Sequence, residues 1–159
     1  MKYYAQFGED IFLEKLFEEM KIEKGFFVDV GAWDGKHLSN TYIFIGKGWN
    51  GIEIEADTGR ANKARETLPK NIQVVNWTVK PKDLDGILQE CFAPKDFDLL
   101  SIDIDSYDYE VWKNLIDYEP KVVVIEVGSA TTPEAMKELG KEKGYELIWD
   151  KSNYIFKKK

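Results

Sequence analysis

Two groups of residues in this sequence have the types and spacing to do chemistry. The first is a glycine turn, Asp29-Val30-Gly31-Ala32-Trp33-Asp34-Gly35, which follows the aromatic and β-branched run Phe26-Phe27-Val28. Asp29 interrupts that run one residue before its end, and a carboxylate there is expected to face a polar cleft at the strand's carboxyl terminus. Gly31 and Gly35 allow positive φ or close approach of a ligand to the backbone. Glu55 closes a second apolar run, Gly51-Ile52-Glu53-Ile54-Glu55, where a carboxylate can accept hydrogen bonds from both hydroxyls of a ribose. The second group is acidic. Asp103 and Asp105 end the run Asp98-Leu99-Leu100-Ser101-Ile102, and Glu126 ends Val122-Val123-Val124-Ile125. Alternation along a strand would put Asp103 and Asp105 on one side, with Glu126 as their neighbour. Carboxylates so placed could accept a substrate proton or bind a divalent cation. The alternative is that Asp105 and Asp108 simply cap the helix that follows.

The elements that must position these groups alternate between strand and helix. Gly8-Glu9-Asp10 opens a helix whose apolar stripe is Phe12, Leu13, Leu16, Phe17 and Met20. Strands are expected at 26–30, 51–55, 72–79, 97–105 and 121–126. Helices are expected at 39–47, from Asp57 to about Leu68, at 84–92 with Leu84, Ile87, Leu88, Cys91 and Phe92 sharing a face, and at 107–118 with Ile116 inward. Thr132-Pro133 starts the last helix, with proline at its first position, and Gly144 ends it. A hairpin across 150–153 closes the chain. Five strand–helix units in alternation imply an α/β fold, with a mostly parallel sheet between two helical layers and one antiparallel strand from the hairpin.

The composition sets limits. The 159 residues are 43% hydrophobic and 32% charged, with a net charge of −7, which is read as one domain with a sizeable core. That charge argues against partners such as nucleic acid or an anionic membrane. There is no apolar run of about 18 residues. The segment Met1-Lys2-Tyr3-Tyr4-Ala5-Gln6 lacks the apolar core of a signal peptide, so a cytoplasmic location is expected. One cysteine, Cys91, and one histidine, His37, make neither a disulfide nor a structural zinc site. Cys91 reads as packing. Trp33 and Trp77 read as core or as flanks of a purine, and His37 as a neighbour of the site or a general base.

The Asp-x-Gly-x-x-x-Gly spacing does not fit the dinucleotide fingerprint. It is similar to the first motif of the Rossmann-like methyltransferases that use S-adenosylmethionine (AdoMet). Taken with Gln6-Phe7-Gly8-Glu9-Asp10, Ser39-Asn40-Thr41, Gly48 to Ala56, Asp98 to Asp105, Gly144 to Leu147 and Asn153 to Phe156, it resembles the FkbM-type methyltransferases over nearly the whole chain. The resemblance implies a class I sheet of seven strands in the order 3-2-1-4-5-7-6, with ligands bound where the order reverses. It implies AdoMet as cofactor and methylation of a hydroxyl on a sugar or other small-molecule acceptor. By the same resemblance Gly31, Ala32 and Asp34 line AdoMet, with Asp29 and Gly35 in the same turn. Asn40 approaches it from the next helix, Glu55 takes the ribose, with Ala56 next to it in the cofactor-binding set, and Gln6 closes the methionine end. Of the two strand-end aspartates, Asp103 is the one expected to hold the amino group. Asp105 and Glu126 are the catalytic candidates.

Three positions depart from the family pattern. Ser106 stands where glycine is usual, Glu126-Val127-Gly128 replaces Glu-x-Asn, and the segment from Gly128 to Thr132 is short. With no side chain at Gly128 to act as a ligand, a divalent cation is the less favoured addition to AdoMet. Two further readings remain: an AdoMet-binding module that works with a partner, and a nicotinamide-dependent oxidoreductase, which the missing fingerprint disfavours.

Overall fold

A computed structural model describes residues 2–159. The chain divides into two units, residues 1–78 and 79–159. The first carries α1 (Glu9–Glu19), β1 (Phe26–Val30), α2 (Tyr42–Gly46), β2 (Asn50–Glu55), α3 (Thr58–Thr67) and β3 (Ile72–Asn76). The second carries α4 (Leu84–Glu90), β4 (Leu99–Ile102), α5 (Asp108–Asn114), β5 (Val122–Glu126), α6 (Pro133–Glu142), β6 (Tyr145–Asp150) and β7 (Asn153–Lys158). The strands form one seven-stranded sheet in the order β3-β2-β1-β4-β5-β7-β6, as the alternation and the resemblance led one to expect. Within it β7 runs antiparallel to both β5 and β6.

In the first unit β1 and β2 pair in parallel, with Phe27 opposite Gly51 and Asp29 opposite Glu53. The glycine is a packing requirement, since a Cβ at position 51 would lie 2.5 Å from the Phe27 ring. Leu13, Leu16 and Phe17 of α1 are buried as their spacing predicts, whereas Phe12 and Met20 are only half-buried. The Phe17, Phe44 and Trp49 rings meet with centroids 4.5 to 5.4 Å apart, and the Trp49 indole donates to the Glu23 carbonyl. Such aromatic contacts add to simple area burial.

Several elements are shorter than the sequence predicts, because polar side chains bind backbone at their ends. The Ser39 hydroxyl accepts the amides of Thr41 and Tyr42, so α2 begins at Tyr42 rather than at Ser39. The Asn76 amide donates to the carbonyls of Glu55 and Ala56, and β3 stops there instead of running to Val79. In the second unit the Asp85 carboxylate accepts the amides of Ile116 and Asp117, and α5 has already ended at Asn114. Ile116 is therefore exposed rather than inward. Phe92, placed by its spacing on a buried face, lies beyond α4 at φ 56° and is 91% exposed. Cys91 is half-buried at the end of α4, where burial raises its thiol pKa. The expected caps of α3 and α6 do form. Asp57 accepts the Arg60 amide, and Thr132 accepts that of Ala135, with Pro133 beginning the helix.

The first unit buries a pair of carboxyl groups. Asp29 is 5% exposed, not set on a polar cleft as expected, and Glu53 beside it is fully buried. The Thr41 hydroxyl donates to Asp29 at 2.8 Å and lies 3.5 Å from Glu53 Oε1, while Glu53 Oε2 has no hydrogen-bond partner. Burial, reinforced by the Asp29 charge, pushes the Glu53 carboxyl well above its ordinary value. The folded state thus binds a proton more tightly than the unfolded chain, so this residue's contribution to stability falls as pH rises above the ordinary carboxyl range. Glu53→Gln removes that slope. The variant should gain stability over the parent by about 1 kcal/mol or more at alkaline pH and far less near pH 5. Thermal unfolding of both proteins across that range measures the difference. Parallel curves would show that Glu53 does not titrate differently on folding.

Candidate functional site

In the first unit the end of β2 fastens the turn that follows β1. Gly31, at φ 88°, and Ala32 both donate their amides to the Ile54 carbonyl, at 2.9 and 3.1 Å. The next amide, of Trp33, donates to Glu55 Oε2 at 2.6 Å, and the Asp57 amide donates to Oε1 at 2.9 Å. Glu55 is thereby fixed in a nearly buried position. A carboxylate oxygen can accept two hydrogen bonds, so each oxygen of Glu55 keeps one acceptor position.

Asp34 holds the other half of the turn. Its Oδ1 accepts the amides of Lys36 and His37, and its Oδ2 pairs with Lys63 of α3 at 3.0 Å. Burial pushes the Asp34 carboxyl up, but the His37 amide, the Lys63 ammonium and the Lys36 amide outweigh it and hold the group below its ordinary value. Gly35 sits at φ 78°, where a Cβ would lie 2.7 Å from Leu68 Cδ1. Its glycine is thus accounted for by backbone conformation and by packing against the end of α3. Trp33 and Trp77 are surface residues, 42% and 55% exposed. The Arg60 guanidinium stacks 3.2 Å from the Trp33 ring centroid, and the His37 ring lies 5.2 Å from it.

Asn40 is buried in the loop before α2, and Ala56 is exposed directly after Glu55. Gln6 is exposed on the segment ahead of α1, whose course is set by Asp10 accepting the amides of Tyr4 and Ala5 and Glu9 accepting that of Phe7. The structure therefore brings Gly31, Ala32 and Glu55 together through named bonds and ties Asp34 into the same turn.

The second unit holds the acids. Carboxylate oxygens of Asp103, Asp105 and Glu126 all lie within 4.8 Å of one another. Strand alternation is not what joins them, because β4 ends at Ile102 and both aspartates belong to the loop beyond it. That loop turns at Asp105, at φ 64°, and is closed by the Ile104 amide donating to Asp108 Oδ1 at 2.8 Å. Asp108 is buried, and burial with the nearby charges of Asp103 and Asp105 raises it to about 6. Burial, a hydrogen bond shared with Asp103 and the surrounding negative charge push Glu126 up to about 8. Near neutrality one proton therefore resides on Glu126 and bridges to Asp103, which relieves the repulsion within the cluster. The second Glu126 oxygen is buried without a hydrogen-bond partner.

Sequence reasoning missed Glu53 and Thr41 as partners of Asp29, Lys63 as partner of Asp34, and Asp108 as the clasp of the acidic loop. The Glu-x-Glu alternation of β2 was the one available signal. It places Glu53 on the same face as Glu55 and opposite Asp29 in a parallel pairing.

No family's sequence profile matches the chain. No curated protein matches it in sequence either. Solved structures do. A TehB-like SAM-dependent methyltransferase from Corynebacterium glutamicum superposes with a TM-score of 0.60 at 17% identity, covering 99% of this chain and 89% of that one. A precorrin-6y C5,15-methyltransferase from Geobacter metallireducens gives a TM-score of 0.57 at 13% identity, covering 92% and 87%. A candidate O-methyltransferase from Klebsiella pneumoniae gives 0.58 at 13%, covering 100% and 84%. The fold is that of the class I methyltransferases. In that fold the carboxyl ends of the parallel strands are the ligand-binding end. Gly31 follows β1, Glu55 ends β2, Asp103 follows β4 and Glu126 ends β5.

The backbone geometry of the turn has a direct consequence for stability. Gly35→Ala forces a side chain into the left-handed region and against Leu68, and should cost about 1–3 kcal/mol. Urea unfolding of the variant measures this. A loss of ligand affinity without a loss of stability would instead mean that Gly35 serves a bound molecule.

Proposed function

We propose that this protein is an AdoMet-dependent O-methyltransferase of the FkbM type, acting on a hydroxyl of a sugar or other small metabolite. The observation that carries the reading is Glu55. It is held at the end of β2 by the amides of Trp33 and Asp57, beside a glycine turn, in a class I methyltransferase fold. A carboxylate with one acceptor position left on each oxygen fits a ribose diol, so the residues present suit a nucleoside cofactor. When bound, AdoMet supplies an electrophilic methyl group on a sulfonium.

Gly31, Ala32 and Asp34 shape the backbone that receives it, with Gly35 holding the turn's conformation and Asp29 supporting it from the buried side. Glu55 and the adjacent Ala56 border the ribose position, Asn40 approaches the cofactor from the loop before α2, and Gln6 is assigned to the methionine end. Asp103 is the residue assigned to the amino group. Asp105 and Glu126 remove the proton of the acceptor hydroxyl, and rate comes mainly from positioning. The oxygens of the acid cluster are also close enough for one divalent ion, although the shared proton already offsets their repulsion. The net charge of −7 favours a small-molecule acceptor over nucleic acid.

A second reading, an AdoMet-binding module without turnover, is favoured by one observation. Glu126 holds its proton up to about 8, so it is a poor base near neutrality.

Two measurements test the proposal. Glu55→Ala should weaken AdoMet binding by about 1.5–3 kcal/mol in calorimetry, roughly ten- to a hundredfold, and much less for a cofactor analogue lacking the ribose hydroxyls. Equal losses for both ligands would remove Glu55 from the ribose position. For catalysis, the basic form of Glu126 accumulates only as pH rises through about 8, so turnover should climb over that interval. Glu126→Gln should abolish the climb. A pH profile shared by parent and variant would assign proton removal to another group.

A further inference from the structure

We infer that the acceptor is an anionic sugar, and that its charged group is held in a recess formed by the segment ahead of α1 and the loop that follows the glycine turn. This rests on the methyltransferase reading for the acceptor's role, but the binding site itself is argued from the first unit alone. A recess of about 340 Å³ is lined by Lys2, Tyr3 and Tyr4 on one side and by Lys36, His37 and Leu38 on the other. A second, of about 240 Å³, adjoins it through Lys2 and Tyr4 and continues to Tyr42. The first has the size of a small-ligand pocket.

Its chemistry differs in sign from the chain as a whole. The net charge is −7, yet Lys2 and Lys36 project here and neither pairs with a carboxylate among the described residues. The one acid in the lining, Asp34, is already engaged by Lys63 and by two backbone amides, so it leaves the lysine charges uncancelled. The Lys36 ammonium lies 5.9 Å from the Tyr4 ring centroid and 5.4 Å from that of Tyr42, and the Lys2 ammonium 5.9 Å from Tyr4. The two tyrosine rings pack edge to face at 4.6 Å. Both ammonium groups thus border the same recess against the aromatic pair, and two positive charges without a carboxylate partner favour an anion there.

The neighbouring surface is suited to a sugar ring. Tyr3 and Leu38 are both exposed, and the flat, partly apolar face of a pyranose can lie against them while its hydroxyls remain hydrated. The recess continues directly from the Gly31–Gly35 turn through Asp34 and Lys36. An anionic group anchored there would hold a hydroxyl-bearing ring beside the turn assigned to the methyl donor. A phosphate and a carboxylate would both satisfy the two ammonium groups, so a sugar phosphate and a sugar acid both fit the recess.

The experiment is calorimetry on the full chain, first with S-adenosylhomocysteine and then, in its presence and absence, with glucose 6-phosphate, glucuronate and glucose. The two anionic sugars should bind at least about tenfold more tightly than glucose, with affinity falling as salt is added. Lys36→Gln should weaken them about tenfold. Its fold should persist, because the Asp34 turn uses only its backbone amide, and Lys2→Gln gives an independent second reading. Lys70→Gln, which replaces an exposed lysine outside the recess, should leave their affinity unchanged. Tighter binding of glucose 6-phosphate supports a sugar phosphate, and tighter binding of glucuronate a sugar acid. Glucose binding as tightly as either anion would overturn the inference, as would Lys36→Gln behaving like Lys70→Gln. S-adenosylhomocysteine binding with neither anion bound would also overturn it and leave the methyltransferase reading standing. Anion binding without S-adenosylhomocysteine binding would keep the recess and remove the methyl-donor reading.

Discussion

Three consecutive amides, those of Gly31, Ala32 and Trp33, end on two consecutive residues of β2: the Ile54 carbonyl and the Glu55 carboxylate. Everything proposed for the first unit depends on this fastening, and it exists in only one register of β1 against β2. A slip of one residue would turn every side chain of the strand to the opposite face. Two contacts specify the register. Phe27 fills the space that Gly51 leaves empty, and Asp29 faces Glu53 with the Thr41 hydroxyl donating between them. The first is ordinary packing. The second is polar and buried, and it disfavours a slip because another register would separate the two carboxyl groups from the Thr41 hydroxyl that reaches both.

The two units manage crowded carboxyls in the same way, with different exposure and therefore different uses. In the first unit burial raises Glu53 next to Asp29, and in the second it raises Glu126 next to Asp103. In both, retaining a proton costs less than accommodating another charge. Glu53 is sealed from solvent, so its proton has no route to a reacting group and its role is structural. Glu126 is half-buried and belongs to a cluster whose other members are exposed, so its proton can exchange. Only the second arrangement can serve a reaction.

The strand–helix alternation and the glycine turn were legible in the sequence because each rests on local signals: apolar runs of strand length, proline and glycine punctuation, and capping residues; the sheet order came from the family resemblance instead. The ends of elements were not. Ser39, Asn76 and Asp85 each capture backbone groups that would otherwise extend α2, β3 or α5, and such competition cannot be seen in a hydrophobic pattern. Ile116 was misplaced for that reason, and Phe92 because α4 stops on a left-handed residue that its apolar spacing does not reveal. Asp29 was misplaced for another: a lone acid in a strand implies a polar outlet unless the strand opposite carries a group that can itself stay protonated beside it. Glu53 is such a group, and its pairing is a tertiary fact. In the second unit the acids were correctly expected to cluster, but the cause is a left-handed turn at Asp105 rather than strand alternation.

Backbone strain in this chain follows the same division. Among the described residues, five other than glycine have positive φ: Lys21, Trp33, Leu38, Phe92 and Asp105. Lys21 and Phe92 come just after the ends of α1 and α4, where a left-handed residue is an ordinary way to stop a helix. The other three lie in the glycine-turn loop and the acidic loop. A strained residue persists only where its surroundings over-determine it, and here carboxylates supply the constraint. Glu55 holds the Trp33 amide, Asp34 holds the two amides before Leu38, and Asp108 holds the amide before Asp105. The acids that give these loops their charge therefore also give them their shape. Removing one acid both deletes a charge and relaxes a loop. Binding and folding are separated at any of them by a second comparison: a ligand that lacks the contacted group, or a variant that keeps the hydrogen-bond acceptor but loses the charge.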